Sequence, residues 1–303
     1  MTTSKSPLAV ARWALALGKA SLPEYSHSRS PHKYTQPQLF ALLVLKEFFG
    51  QDYRGLMQLV ADLSDLQKAL ELQELPHYTT IQKAARRLLS RRRIQKLLAT
   101  SIEAAKKGRI LRSKRLTAAL DSTGLSSRHT SAYFVERKQR VLHAKGYQTT
   151  QYRRFPKLAH ICDTTTHLIF GFLPSWGPST DVSHFIPLLK EGLRVHPVGI
   201  ILADAGYDSE ANHRFARGEL GVRSVMPARA GRSTAKLPTG RFRRRMTTRF
   251  PKKLYGQRAQ VETVMSMLKR NFGEALSAKT YQAQMREIGL KVLTHNIGIL
   301  MPT

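Results

Sequence analysis

Val198-Gly199-Ile200-Ile201-Leu202-Ala203-Asp204-Ala205-Gly206-Tyr207-Asp208 is the stretch on which the fold turns. From Val198 to Ala203 it is uncharged and rich in β-branched residues. That is the composition of a strand buried on both faces, the inner strand of a parallel sheet. Asp204 closes the run and Gly206 marks a turn. A single aspartate after a strand is more often a turn or cap residue than a catalytic one. Its neighbours in the chain decide between the two readings.

Downstream, Ser209 to Arg217 reads as a helix with Asp208 as its N-cap, and Val222 to Met226 as a further strand. Upstream, Val182 to Leu193 reads as a helix carrying Phe185, Leu188 and Leu189 on one side, with Asp181 a candidate cap. Before it, Lys157 to Cys162 and His167 to Leu173 form a β-hairpin, and Asp163-Thr164-Thr165-Thr166 is its turn. Earlier still, the apolar run Leu116 to Leu120 ends in Asp121-Ser122-Thr123-Gly124, a second strand with a carboxylate at its end. The order is strand, hairpin pair, helix, strand, helix, strand, helix. It predicts an α/β, RNase H-like mixed sheet flanked by helices. In that arrangement the strands ending in Asp121 and Asp204 are neighbours.

The helix after the last strand is read from Tyr255 to Lys269. At about 100° per residue, Arg258, Glu262 and Lys269 fall within roughly 40° of one another, and Tyr255 lies close to that line. Val261, Val264, Leu268 and Phe272 form the adjoining apolar stripe, which a globular helix buries. Such a helix can bring Glu262 over the edge that carries Asp121 and Asp204. Three converging carboxylates offer the oxygen ligands that hard divalent cations require. Two Mg²⁺ ions roughly 3.5–4 Å apart can clamp the attacking and leaving oxygens of a displacement at phosphorus.

The chain of 303 residues holds 50 Lys+Arg against 20 Asp+Glu, a net charge of +30. This favours polyanions, nucleic acid before an anionic membrane surface. No apolar run is long enough to span a bilayer. The one cysteine, Cys162, excludes an intrachain disulfide framework and fits a reducing cytoplasm. Residues 1–110 read as a helical, basic, DNA-binding region: a partly ordered leader to about residue 35, then a helix from Gln36 that Gly50 ends. Further helices run over 54–63 and 66–75; another starts with Thr79 to Gln82 as a capping box, and a basic helix runs from Arg92 to Lys107. Residues 111–303 read as the α/β domain. Within it, 228–254 contains no acidic residue and includes Arg243, Arg244, Arg245, Lys252 and Lys253. It reads as a basic loop or flap that orders on a polyanion. A second cationic stretch spans Arg137 to Arg154.

The spacing Tyr255-x2-Arg258-x3-Glu262-x6-Lys269 resembles, at every position, the Y-(2)-R-(3)-E-(6)-K pattern of bacterial insertion-sequence DDE transposases. Leu120-Asp121-Ser122-Thr123 and Ala203-Asp204-Ala205-Gly206-Tyr207 are similar to that family's two aspartate motifs. The resemblance implies that Asp121, Asp204 and Glu262 are catalytic and bind two Mg²⁺ ions, with Mn²⁺ able to substitute. It implies that Tyr255, Arg258 and Lys269 hold DNA phosphates. The implied reaction is strand cleavage at element ends followed by 3′-OH strand transfer. The implied partners are double-stranded DNA, both terminal inverted repeats and target, and a second copy of the chain in the DNA complex. The expected location is the cytoplasm, on the nucleoid. The alternatives are an RNase H-like nuclease without strand transfer and a non-catalytic basic DNA-binding relative.

Overall fold

The computed structural model describes residues 5–128, 154–229 and 237–301. The cationic stretch from Arg137 to Arg153, together with Arg232 and Lys236 of the basic flap, lies outside the described residues. The run that ends in Asp204 is strand β5 (Val198–Ala203). It joins β1 (Leu116–Gly124), β3 (Phe155–Asp163), β4 (Ile169–Gly177) and β6 (Arg223–Val225) in a sheet whose order, among the described residues, is β4-β3-β1-β5-β6. β5 is parallel to both β1 and β6, whereas β3 is antiparallel to β1 and β4. This is the RNase H-like mixed sheet that the element order predicts. Beside it, β2 (Ser126–Ser127) and β7 (Ala275–Leu276) form a short parallel ladder. The β3–β4 turn is held as read: Thr166 donates its N–H and its hydroxyl to Asp163 Oδ2, both at 2.8 Å.

Side chains alternate across each strand. Ala119 and Leu202 therefore face one core, while Ala118, Leu120, Ile201 and Ala203 face another. The second core is closed by α7 (Phe185–Val195), which sits tightly on the sheet. A Cβ on Gly192 would stand 2.9 Å from the Phe170 ring, and one on Gly171 would stand 2.8 Å from Ile161 Cγ2. The first core is shared with the helices that precede β1 and with those that follow β6.

The preceding helices are α1 (Pro7–Ser21), α2 (Gln36–Phe49), α3 (Tyr53–Asp62), α4 (Ser64–Ala69), α5 (Tyr78–Leu88) and α6 (Arg91–Lys107). Three sequence expectations are corrected here. The leader contains a full helix, α1, because Val10, Ala11, Ala14, Leu15 and Leu17 form a stripe that packs into the core. Pro7 opens that helix, where its missing N–H costs nothing. The capping box belongs to α2 rather than α5: Thr35 Oγ1 accepts from Gln38 N, and Gln38 Oε1 accepts from Thr35 N. α5 starts one residue before Thr79, and the Thr79 hydroxyl pairs instead with His77 Nδ1 at 2.8 Å. α4 ends at Ala69, short of Leu75, as Glu71 takes a left-handed conformation with φ of 55°. Gly50 ends α2 as expected, at φ 64°.

The helix α12 (Tyr281–Ile299) closes the core, with every residue from Ile288 to Ile299 buried. Its Asn296 bonds the N–H and C=O of Ile169 at 3.0 and 2.7 Å and reaches Ser101 Oγ at 3.1 Å. One amide thus joins α6, α12 and β4. Lys291 Nζ meets Glu47 of α2 at 2.8 Å, each side chain 6% exposed. Burial still pushes the Glu47 carboxyl upward, and the Lys291 charge offsets only part of that. Removing either partner would strand a charge in the core, at a cost of about 3–5 kcal/mol. Among the described residues no helix is long and apolar enough to cross a membrane.

Candidate active site

Strand alternation decides where the acids point. Asp121 shares the parity of Ala119, and Asp204 that of Leu202, so both project to the face covered by the first core. The parallel pairing of β1 with β5 ends at Leu120 and Ala203, immediately before the two aspartates. β1 itself does not end at Asp121, as its sequence suggests. It runs on to Gly124, because β3 keeps pairing with it after β5 has turned away, Asp121 lying opposite His160. Asp121 therefore stands where one neighbouring strand leaves and the other continues. Asp204 caps the turn Ala205–Tyr207, its Oδ1 accepting from Gly206 N at 2.9 Å.

Glu262 lies on α11 (Ala259–Phe272), whose Val261, Val264 and Leu268 are buried as the apolar stripe predicts. The expected single helix from Tyr255 is interrupted. α10 (Lys252–Tyr255) passes into a 3₁₀ turn over Gly256–Arg258 before α11 begins. Gly256 lowers helix propensity at that point, and 3₁₀ turns are frequent at helix ends. The turn places Arg258 between two acids: its Nη1 donates to Glu262 Oε1 at 2.6 Å and its Nη2 to Asp121 Oδ2 at 3.2 Å. Arg258 Nε is buried and has no hydrogen-bond partner.

Asp121 is 19% exposed at its side chain. Burial pushes its carboxyl up to about 6, and the charges of Asp204 and Glu262 add to the rise. The Ser122 N–H, at 2.8 Å from Oδ1, and the Arg258 guanidinium oppose it without cancelling it. Tyr255 is raised too, by burial first and then by Asp204, Asp121 and Glu262, with Arg258 opposing. Its ring packs on Phe250 at 4.9 Å between centroids. Asp121, Asp204, Glu262, Arg258 and Tyr255 thus act on one another electrostatically although they are far apart in sequence.

The remaining expected residues are placed differently. Lys269 lies about 10 Å further along the helix axis than Glu262; its Nζ is 4.0 Å from Glu274. The stretch expected as a basic loop contains a helix, α9 (Arg241–Thr248). Glu210, from α8 (Glu210–Arg214), accepts from Phe242 N and Arg243 N, both at 3.1 Å, and so supplies the acid favoured at a helix start. Arg243 Nε donates to Asp208 Oδ2 at 2.8 Å. Asp208 is not the cap of α8, because Ser209 Oγ accepts from Asn212 N and fills that role. Arg244, Arg245, Lys252 and Lys253 are exposed. Sequence reasoning gave no role to Lys157, Ser122 or Tyr207, which gather with Asp181 behind Asp121. A lysine inside an otherwise apolar strand was the available signal.

Carboxylate oxygens are the donors that hard divalent ions prefer, and a desolvated Asp121 beside Asp204 and Glu262 is relieved by a cation. Asp121 and Asp204, directly after the last paired residues of β1 and β5, carry oxygen donors of the kind such an ion would take. Arg258 links Glu262 to Asp121 by donating to both. Among the described residues no three of His, Cys, Asp or Glu are grouped closely enough to hold a metal ion.

Fold and site together define an RNase H-like protein with acidic strand ends under a glutamate-bearing helix. The family described as Transposase DDE domain matches residues 112–297. The chain belongs to that family: it is a DDE-type DNA transposase, an enzyme class that uses divalent metal ions. No curated protein matches it. Among solved structures, the Mos1 mariner paired end complex with Mn is 14% identical over 94% of this chain and 84% of that one, with a TM-score of 0.23. A likeness that slight bears on neither fold nor ligands. The fold rests on the strand order given above.

Proposed function

We propose that Asp121, Asp204 and Glu262 are the catalytic carboxylates, in a bacterial insertion-sequence transposase of the Y-(2)-R-(3)-E-(6)-K type. The observation that carries this is Arg258 spanning Asp121 and Glu262, while Asp204 and Glu262 both raise the Asp121 carboxyl. Asp121, Asp204 and Glu262 would hold divalent ions, Mg²⁺ with Mn²⁺ able to substitute, which would supply electrostatic stabilisation of the charge that develops at the reacting phosphate. The chain's own part is positioning. Glu262, 62% exposed at its side chain, can swing towards the aspartates once Arg258 transfers to a DNA phosphate. Tyr255, at the end of α10, and Lys269, in the last turn of α11, offer a phenol and an ammonium to further phosphates. Arg243, Arg244, Arg245, Lys252 and Lys253 line the approach, with Arg243 also fixing its helix through Asp208.

Residues 1–110 are assigned to DNA binding, 111–303 to catalysis with a basic flap at 228–254. The DNA partners are double-stranded: the terminal inverted repeats and the target. A homodimer on DNA and a cytoplasmic, nucleoid-associated location complete the reading. A plasmid carrying the coding sequence with its genomic flanks, incubated with the protein and Mg²⁺, tests it. The expected outcome is cleavage at the element's ends and joining of the freed 3′-OH to a second DNA. Cutting without joining would instead establish a nuclease.

A further inference from the structure

Behind Asp121, on the opposite face of the sheet, a second polar cluster links the two acidic strand ends. Alternation along β1 sends Ser122 to the face away from Asp121. There Ser122 Oγ donates to Asp181 Oδ1 at 2.6 Å, and Lys157 Nζ reaches the same oxygen at 2.7 Å. Lys157 also donates to the Ser179 carbonyl at 2.8 Å. Its side chain is 9% exposed, and that of Asp181 is 29% exposed. An ammonium so dry is costly to keep, and pairing alone rarely offsets the cost. Across β1 it faces Gly124, so no side chain there demands its bulk.

The cluster touches both aspartate motifs. Ser122 directly follows Asp121 and donates its N–H to Asp121 Oδ1 at 2.8 Å. Tyr207 closes the turn that Asp204 caps, and it is fully buried. Its hydroxyl has no partner in hydrogen-bond geometry. It nevertheless responds to Asp181, whose charge adds to burial in raising it, and to Ser122, which pulls it down. Ser122 of the first motif thus bonds Asp181 directly, Asn212 Nδ2 ties the Asp181 turn to Tyr207 of the second by donating to the Val182 and Tyr207 carbonyls at 3.1 and 2.8 Å, and the buried lysine balances the carboxylate's charge.

We propose that Lys157, Asp181, Ser122 and Tyr207 form a positioning network that fixes the ends of β1 and β5 and so sets the spacing of Asp121 and Asp204. This rests on the assignment of those two aspartates as reacting carboxylates. None of the four touches DNA or metal in this role; they act through the backbone that carries the aspartates. Supporting groups of this kind typically change metal affinity or activity 10–100-fold when removed, and a displacement of about 1 Å can cost 10²-fold in rate.

The test uses the full chain, the plasmid described above and manganese chloride. In Ser122→Ala and Asp181→Asn, the first-order cleavage rate at saturating DNA should fall about tenfold, with half-saturating DNA unchanged within about twofold. The manganese concentration that gives half of the metal-induced rise in Tm should increase about tenfold. The second readout needs no DNA and would not move for a residue that only packs. Wild-type rates and wild-type manganese dependence in both variants would overturn the proposal. So would a loss of rate that tracks Tm alone and vanishes below the melting range. Asp121→Ala, run alongside, separates the two levels. If it is inactive while Ser122→Ala and Asp181→Asn are normal, the network alone fails. If Asp121→Ala cleaves like wild type, the carboxylate assignment fails and the network falls with it.

Discussion

Asp121 and Asp208 are both sheltered from water, yet their surroundings treat them oppositely. Around Asp208, burial would raise the carboxyl, but His213, the Arg229 N–H and Arg243 together bring it below its usual value. Arg229 N and Arg243 Nε donate to Oδ2 at 2.9 and 2.8 Å, and His213 Nε2 stands 3.5 Å from Oδ1, long for a hydrogen bond. Asp208 is a structural anion whose Oδ2 anchors the arginine-rich α9, while its Oδ1 is buried with His213 Nε2 as its near neighbour. Around Asp121 the opposing groups are fewer and two further acids face it, so its carboxyl rises to about 6. Acids that hold a fold together are surrounded by donors. Acids left short of them, with other acids nearby, are where a cation is wanted.

Three measurements can break or sharpen that contrast. The largest effect concerns chemistry. Asp121→Asn should lower end cleavage by about 10³-fold without lowering Tm, whereas Asp208→Asn should leave measurable cleavage in whatever protein stays folded. Equal losses in rate from the two would erase the distinction. The next effect is on stability. Asp208→Ala removes the acceptor of Arg229 N and leaves the Arg243 guanidinium without its anion, and should cost about 3 kcal/mol in denaturant unfolding. A cost below about 0.5 kcal/mol would mean that α9 is not anchored there.

The smallest effect is a pH dependence with a definite sign. The Asp121 pKa is raised in the folded state, so the folded protein holds a proton there that the unfolded chain has lost. Stability from this group is present below the ordinary carboxylate value near 3.8 and declines as pH rises through about 6. In chelator, Asp121→Asn should therefore be more stable than wild type at pH 7.5, by about 2 kcal/mol, and no more stable at pH 4. The opposite order at pH 7.5 would show Asp121 to be as well satisfied as Asp208.

Much of the sheet was legible because its signals are local. The uncharged run before Asp204, the hairpin turn at Asp163 and the stripe Val261, Val264, Leu268 each carry their own period or turn chemistry. The convergence of Asp121 and Asp204 followed from strand order alone. What sequence missed depends on partners far away in the chain. The helix α9 was hidden inside a basic run because its N-terminal acid, Glu210, and the anchor of Arg243, Asp208, lie more than 30 positions upstream. The continuation of β1 past Asp121 depends on β3, and the break at Gly256 depends on how α10 and α11 seat separately. α1 was obscured by the Ser- and Pro-containing composition around it, although its own stripe is regular. Lys157 could not be tied to Asp181 by any spacing rule, since the β3–β4 hairpin separates them and Asp181 only opens the 3₁₀ turn that follows.

The bond between Glu47 and Lys291 sets a timetable for the molecule's assembly. Glu47 is made early, yet its counter-ion is made 244 positions later. The final seat of Glu47 in α2 therefore exists only once residue 291 has been made and α12 has packed against it.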